Sequence, residues 1–272
     1  MVAEEQKREL LEFAVQMARR VGAIHLEWFR RSDLEIGTKS NEFDVVTRAD
    51  RESEACIARM VAERYPSHAL LGEEGGQRGD AASDWLWVVD PLDGTTNFLH
   101  GFPQYAVSIA YAVKGRVMVA VVYDPVKNEL FTAERSRGAF LNNRRMRVSG
   151  RAEFSQSLIG TGFPFRRNDD YAGFLPKLER VARSAAGLRR AGSAALDLAY
   201  VACGRLDGYW EKGLSCWDIA AGSLLVLEAG GLVTDLEGGE NYLETGGICS
   251  GTPKIFSSLL FKVTDAPVNP EK

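Results

Sequence analysis

"WVVDPLDGTTNF", Trp87 to Phe98, is the stretch on which the reading of this chain turns. An apolar run of strand character ends in Asp90, Pro91 stiffens the turn, Asp93 follows on the same loop, and Gly94 allows a sharp bend before Thr95 and Thr96. Two carboxylates converge there without a cationic side chain in the stretch. Their repulsion calls for a counter-charge, and the usual one is a divalent cation with hard oxygen ligands such as magnesium. The Leu92 carbonyl lies between them and could complete the ligand set. Gly94, Thr95 and Thr96 open a predicted short helix, whose first backbone N–H groups suit phosphate oxygens. Metal carboxylates beside a phosphate cradle point to phosphoester chemistry. Taken alone, D-x-x-D-G suits an Asx-turn equally well. A phospho-aspartate nucleophile also stays open, although no obvious lysine partner follows. An EF-hand is disfavoured: counted from Asp90, its third and fifth positions are Leu92 and Gly94, and its twelfth is Gly101 instead of glutamate.

On the N-terminal side, Leu10, Phe13, Ala14, Met17, Val21 and Ile24 recur at three- and four-residue spacing and predict a long helix over Glu4 to Arg31. Thr47 or Asp50 caps a second helix that runs to about Tyr65, where Pro66 stops it. Between them "GTKSNEFDVVTRAD" reads as a polar loop and a short strand. From Trp85 onward the period is that of strands: "WLWVV", "AVSIAYAV", "RVMVAVVYD", "ELFTAE" and "GAFLNN", with "KG" as a hairpin turn. Consecutive strands imply an antiparallel sheet in this half. After about Ser149 strands alternate with helices: "SLIGTGF", Tyr171 to Ala185, "SAALDLAYVACG", "GYWE", "DIAAGSLLVLEAG", "GLVTD" and "PKIFSSLLFK". That alternation is the signature of α/β layering. The expected organisation is an α+β lobe over 1–148 and an α/β lobe with a mixed sheet over 149–272. No linker separates the two, so they are expected to pack as one unit with a frayed tail.

The 272 residues, 45% hydrophobic and 26% charged, describe a globular protein with a sizeable core, and no apolar run reaches the length of a membrane span. The acidic start lacks the pattern of a secretory signal, which sets cytoplasmic location as the expectation. Cys56, Cys203, Cys216 and Cys249 form no C-x-x-C pair, and buried free thiols are expected. A net charge of -4 offers no global reason for nucleic-acid binding, although "NNRRMRVSGR" (Asn142 to Arg151) is a local basic cluster that also suits a solvated hairpin. With only three histidines, none at zinc-helix spacing, carboxylates must carry most of any catalysis.

Two further acidic sites have suitable surroundings. In "LLGEEGG" an apolar strand end leads to Glu73 and Glu74 on a glycine-flanked loop, and in "CWDIAAG" Asp218 opens a helix after an aromatic residue. Each also suits a plain reading, a solvated loop for the first and a helix cap for the second.

"GEE", "WVVDPLDGTTNF" and "CWDIAAG", in this order and spacing, resemble the inositol monophosphatase family of metal-dependent, lithium-sensitive phosphatases. "RRAGSAALDLAYVACGRLDGYWE" is most similar to its bacterial inositol-1-monophosphatase members, and the match runs from the Lys39 region to the last helix. The resemblance implies a layered αβαβα sandwich, generally a homodimer, with two or three magnesium ions. It implies Glu73, Asp90, the Leu92 carbonyl, Asp93 and Asp218 as metal ligands. Thr95, oriented by Asp50, would help position the attacking water, with Lys39 and Asp44 in support. The Gly94 and Thr95 amides would hold phosphate, and substrate hydroxyls would meet Asp93, Gly192, Ser193, Ala194 and Glu211. Asp218 would also steer the water that protonates the leaving alkoxide.

Magnesium ions around the phosphoryl group suit an in-line displacement without a histidine base. The reaction expected is hydrolysis of myo-inositol monophosphates. Relatives acting on fructose bisphosphate, NADP or adenosine phosphates share the metal motif, which keeps a broader sugar or nucleotide phosphatase open. A different reading follows from bacterial members thought to act in transcription antitermination: a regulatory partner that uses Arg144, Arg145, Arg147 and Arg151 with Arg166, Arg167, Arg189 and Arg190.

Overall fold

The computed structural model describes residues 4–31, 37–38, 45–164 and 170–264. Lys39, Asp44, Arg166, Arg167 and the tail beyond 264 lie outside the described residues. The first helix spans Glu4–Trp28, and Leu10, Phe13, Ala14, Met17 and Val21 form its buried stripe. The second spans Arg48–Arg64. Thr47 is its N-cap and Asp50 its third residue, and the two exchange side-chain and backbone hydrogen bonds in a capping box. Both of the expected caps therefore act together.

Eight strands form the larger sheet, in the order Arg144–Met146, Gly138–Leu141, Glu129–Glu134, Arg116–Asp124, Ala106–Val113, Trp85–Asp93, Ala69–Gly72 and Gly76–Arg78. Neighbours are antiparallel throughout, with one exception: Ala69–Gly72 runs parallel to Trp85–Asp93. The short return strand Gly76–Arg78 makes this possible, because it carries the chain back to the starting edge before Trp85. Side chains alternate across the sheet as strand geometry requires. Val107, Ile109 and Tyr111 face the first two helices, while Ala106 and Ala110 face a second helix pair.

That second pair, Ala194–Ala202 and Cys216–Glu228, lies between the larger sheet and a five-stranded one. Small side chains let the helices approach closely; a Cβ at Gly222 would stand 2.5 Å from Leu198 Cδ1. The five-stranded sheet is mixed, ordered Gly187–Arg189, Leu158–Thr161, Gly208–Lys212, Gly247–Gly251, Leu232–Thr234, with the first two pairings parallel and the last two antiparallel. Helices Tyr171–Ala182 and Pro253–Val263 cover its outer face. The layers run helix pair, sheet, helix pair, sheet, helix pair, which is the αβαβα sandwich.

Strand Gly247–Gly251 has no counterpart in the sequence reading. "GICSG" is short and glycine-flanked, and it is extended because strands on both sides pair with it. The short helix Tyr242–Thr245 was likewise not read from sequence. The helix bearing Asp218 begins at Cys216, which puts Asp218 in its first turn. Among the described residues no helix is long and apolar enough to cross a membrane.

Candidate active site

The parallel pairing of Ala69–Gly72 with Trp85–Asp93 positions the acidic residues. Gly72 is registered against Val89, so the next residues of the two strands, Glu73 and Asp90, emerge side by side at the same edge. Past Asp90 the register against the neighbouring strand shifts, as Asp90 opposes Ser108 but Asp93 opposes Ala106. Such an irregularity re-aims side chains at a strand end. The Asp90 Oδ1 accepts the Leu92 N–H at 2.9 Å, so the Asx-turn and the convergence of carboxylates coexist.

Asp93 reaches into the other half of the chain. Its Oδ2 accepts the Ser193 hydroxyl at 2.5 Å and the Ala195 N–H at 2.8 Å, at the start of helix Ala194–Ala202. Asp218 accepts the Ser215 N–H at 2.7 Å and so caps its own helix while sharing the acidic cluster. Burial raises all three carboxyls above their ordinary range. For Asp90 the charges of Glu73, Asp93 and Asp218 add to burial, and a hydrogen bond with Glu73 holds the proton on it. For Asp218 the charges of Asp93 and Glu73 add to burial. Burial pushes Asp93 up to about 6, against the bonds from Ser193 and Ala195 that pull it down. The carboxylates are neighbours at electrostatic range; among the described residues no three side chains meet the spacing of a formed metal centre.

Thr95 opens the short helix Thr95–Leu99 after Gly94, whose φ of 96° is the left-handed conformation that favours glycine. Its hydroxyl lies 2.9 Å from Asp50 Oδ1 and 3.1 Å from the Leu92 carbonyl. The other oxygen of Asp50 accepts the Thr47 N–H at 2.7 Å and the Thr47 hydroxyl at 2.5 Å. Asp50 thus anchors Thr95 from a helix start that cannot shift without breaking its own cap. On the other side of the cluster, the Tyr209 hydroxyl donates to Glu211, and a Cβ at Gly162 would overlap the Glu211 carboxylate. The Ser193 hydroxyl is engaged by Asp93 and by the Leu196 N–H at 3.3 Å.

Several residues around the cluster were not read from the sequence. Glu54 is buried beneath the Glu73 turn, where it accepts the Glu74 N–H at 2.7 Å and pairs with Arg78 at 3.1 Å. A Cβ at Gly72 or Gly75 would collide with it. Its signal was its place four residues after Asp50, on the same helix face. Buried His25 bonds the Pro91 carbonyl at 2.9 Å, and desolvation lowers its pKa to about 4. It is therefore neutral, with the proton on Nε2. Asp197, the one charged residue of an apolar helix, is buried with its Oδ1 unpartnered among the described residues. Burial raises its pKa well above the ordinary value, with the charges of Glu211 and Asp93 adding to the effect.

The donor set is oxygen only and mutually repelling, with Asp90 and Asp93 buried and Glu73 and Asp218 partly exposed. Oxygen ligands of this kind fit a hard divalent cation such as magnesium far better than a soft metal.

A protein of Pseudomonas aeruginosa called Nus factor SuhB is 50% identical over 255 residues, covering 92% of this chain and 94% of the relative. The crystal structure of extragenic suppressor protein suhB from Bartonella henselae superposes with a TM-score of 0.91 at 41% identity, covering 95% of this chain and 100% of that one. An inositol monophosphatase from Anabaena superposes with a TM-score of 0.83 at 37% identity, covering 96% and 97%. A sequence model of the inositol monophosphatase family matches residues 6–266, almost the whole length over which the layers and the acidic cluster are built, and the chain belongs to that family.

Proposed function

We propose that this protein is a magnesium-dependent phosphomonoesterase that hydrolyses myo-inositol monophosphates. The observation that carries the reading is the meeting of Glu73 and Asp218 with the buried Asp90 and Asp93 beside the Gly94–Thr95 turn. When bound, two or three magnesium ions held by Glu73, Asp90, the Leu92 carbonyl, Asp93 and Asp218 would neutralise phosphoryl charge and acidify a water. The amides of Gly94 and Thr95 hold phosphate oxygens, as N–H groups at a helix start do. Thr95 donates its single hydroxyl hydrogen bond to Asp50 or the Leu92 carbonyl, which leaves its lone pairs to accept from the attacking water and aim it. Glu73 accepts the proton that the water loses. Glu211, held by Tyr209, accepts hydrogen bonds from a polyol leaving group, whose other hydroxyls would meet the backbone of Gly192, Ser193 and Ala194. Asp218 steers the water that returns a proton to the leaving alkoxide.

Phosphate release from inositol-1-phosphate, measured beside fructose-1,6-bisphosphate, NADP and 2'-AMP with magnesium and with added lithium, tests the reading. Turnover that needs magnesium, falls with lithium and favours inositol-1-phosphate supports it. Equal turnover of the whole panel points to the broader sugar or nucleotide phosphatase, and metal-independent turnover overturns the proposal. Light scattering tests the homodimer that the family implies.

The name Nus factor carried by the Pseudomonas relative favours a second role as a regulatory partner in the cytoplasm. Arg144, Arg145 and Arg147 are exposed around the edge strand Arg144–Met146, whereas Arg151 is tied to Asp207 at 3.2 Å. Reversing charge at Arg144 and Arg145 would leave hydrolysis intact and weaken a salt-dependent association with RNA. An association unaffected by salt or by the reversal excludes the arginines from it.

A further inference from the structure

One side chain outside the acidic cluster bridges the two halves of the site. Asn97 lies in helix Thr95–Leu99, and its Nδ2 donates to the carbonyls of Gln104 at 2.7 Å, Ala191 at 2.9 Å and Gly192 at 3.2 Å. Three carbonyls around one terminal atom identify it as the amide nitrogen, since an oxygen there would face three acceptors. With two N–H bonds to give, Gln104 and Ala191 take the short contacts and Gly192 shares. The first bond closes the loop that follows this helix back onto it, and the others join the helix to a segment more than ninety residues away.

The backbone is shaped for this junction. Gly94 and Gly192 both have positive φ, 96° and 84°. A Cβ at Gly94 would come within 2.9 Å of the Gln104 oxygen and 3.2 Å of the Gly192 oxygen, and one at Gly192 within 3.0 Å of Asn97 Nδ2. The two glycines make room for backbone against backbone, and Asn97 supplies the bonds. Asp93 grips the same segment with the opposite polarity, accepting from the Ser193 hydroxyl and the Ala195 N–H. Residues 191–195 are thus held by a donor at the Ala191 and Gly192 carbonyls and an acceptor at the Ser193 hydroxyl and the Ala195 N–H.

We propose that Asn97 is a positioning residue that sets the distance between the Gly94–Thr95 amides and the backbone of Gly192–Ala194, and so governs how well a hydroxylated leaving group is held once its phosphate is bound. The proposal rests on the phosphomonoesterase reading. Its consequence is a split between substrates. An ester whose leaving group reaches the 192–194 backbone depends on Asn97, whereas one lacking hydroxyls and inorganic phosphate itself do not, because remote contacts are lost only where they were made.

The test compares the full-length wild type, Asn97→Ala and Asn142→Gly. Asn142 ties a distant hairpin with equivalent side-chain bonds and has a φ of 47° that glycine accepts, so it controls for lost bonds away from the site. Asn97→Ala is expected to raise KM for inositol-1-phosphate about tenfold, the scale of a modest misplacement. Its inhibition constant for inorganic phosphate and its kcat/KM for p-nitrophenyl phosphate are expected to stay within about threefold, and Asn142→Gly changes neither substrate. Hydrogen exchange in the same proteins is expected to show faster exchange confined to residues 191–195 in Asn97→Ala. Equal losses on both substrates and on phosphate inhibition overturn the proposal, as does unchanged exchange at 191–195. If the wild type hydrolyses neither ester, the phosphatase reading fails, and the exchange result alone decides whether Asn97 holds the segment.

Discussion

Asp93 and Ser193 are 100 positions apart, and their side chains share a hydrogen bond of 2.5 Å. The bond joins the end of a strand in the larger sheet to the cap of a helix in the middle layer, so Asp93 serves the fold and the acidic cluster at once. Asp93→Asn keeps an acceptor for Ser193 but removes the charge. Phosphate release is expected to fall about a hundredfold or more while the circular dichroism spectrum is retained. Activity within threefold of wild type would remove Asp93 from the metal ligands.

Magnesium and pH are expected to act on stability together. The Asp93 carboxyl is raised from 3.8 to about 6, so its proton stabilises the metal-free fold below pH 3.8, and that contribution is lost as pH rises to about 6. Asp90 and Asp218, raised in the same direction, extend the loss upward. Magnesium bound as proposed would replace these protons, and at a hundred times its Kd it would add about 2.7 kcal/mol. Melting curves with and without magnesium are expected to differ more at pH 7.5 than at pH 5. A larger gain at the acid end would contradict metal binding by these groups.

His25 acts in the opposite sense. Burial lowers its pKa from 6.5 to about 4, so its contribution is present above pH 6.5 and is lost as pH falls toward 4. The full loss is on the order of 3 kcal/mol. Urea unfolding of wild type and His25→Gln over this range isolates it, because the aspartates titrate in both. The variant is expected to start less stable, having lost the bond to Pro91, and to show a smaller acid-side decline.

Glu54 supports the Glu73 turn from below. Glu54→Ala would leave the Glu74 N–H without its acceptor and Arg78 without its partner. Calorimetric affinity for magnesium is expected to drop about tenfold, within the range of outer-sphere substitutions, and Tm to fall by several degrees. Glu54→Gln keeps the acceptor and is expected to recover much of both. An unaltered magnesium affinity in Glu54→Ala would show that the turn holds its shape without this carboxylate.

Gly222 tests the contact between the two middle helices. Its substitution by alanine forces a Cβ against Leu198, at 2.5 Å from Cδ1 and 2.6 Å from Cβ. Overpacking of this kind costs about 1–3 kcal/mol, so chemical denaturation of Gly222→Ala is expected to shift to lower denaturant with an unchanged m-value. Because helix Ala194–Ala202 also carries the cap held by Asp93, hydrolysis is expected to weaken as well.

The sequence by itself determined the local elements and the acidic make-up of the candidate site. Residue periodicity specified the first two helices and the run of strands from Trp85, because burying one face is a local constraint that recurs every 3.6 or 2 residues. The glycine turn and helix start after Asp93 were equally local and were legible. Only the tertiary structure decided what stands beside what. Strand Gly247–Gly251 exists because two neighbours pair with it, and Glu73 meets Asp90 because a return strand turns an antiparallel run into one parallel pair. Glu54, His25, Asn97 and Asp197 looked unremarkable in the chain, since a buried polar group takes its meaning from partners that folding alone brings within reach.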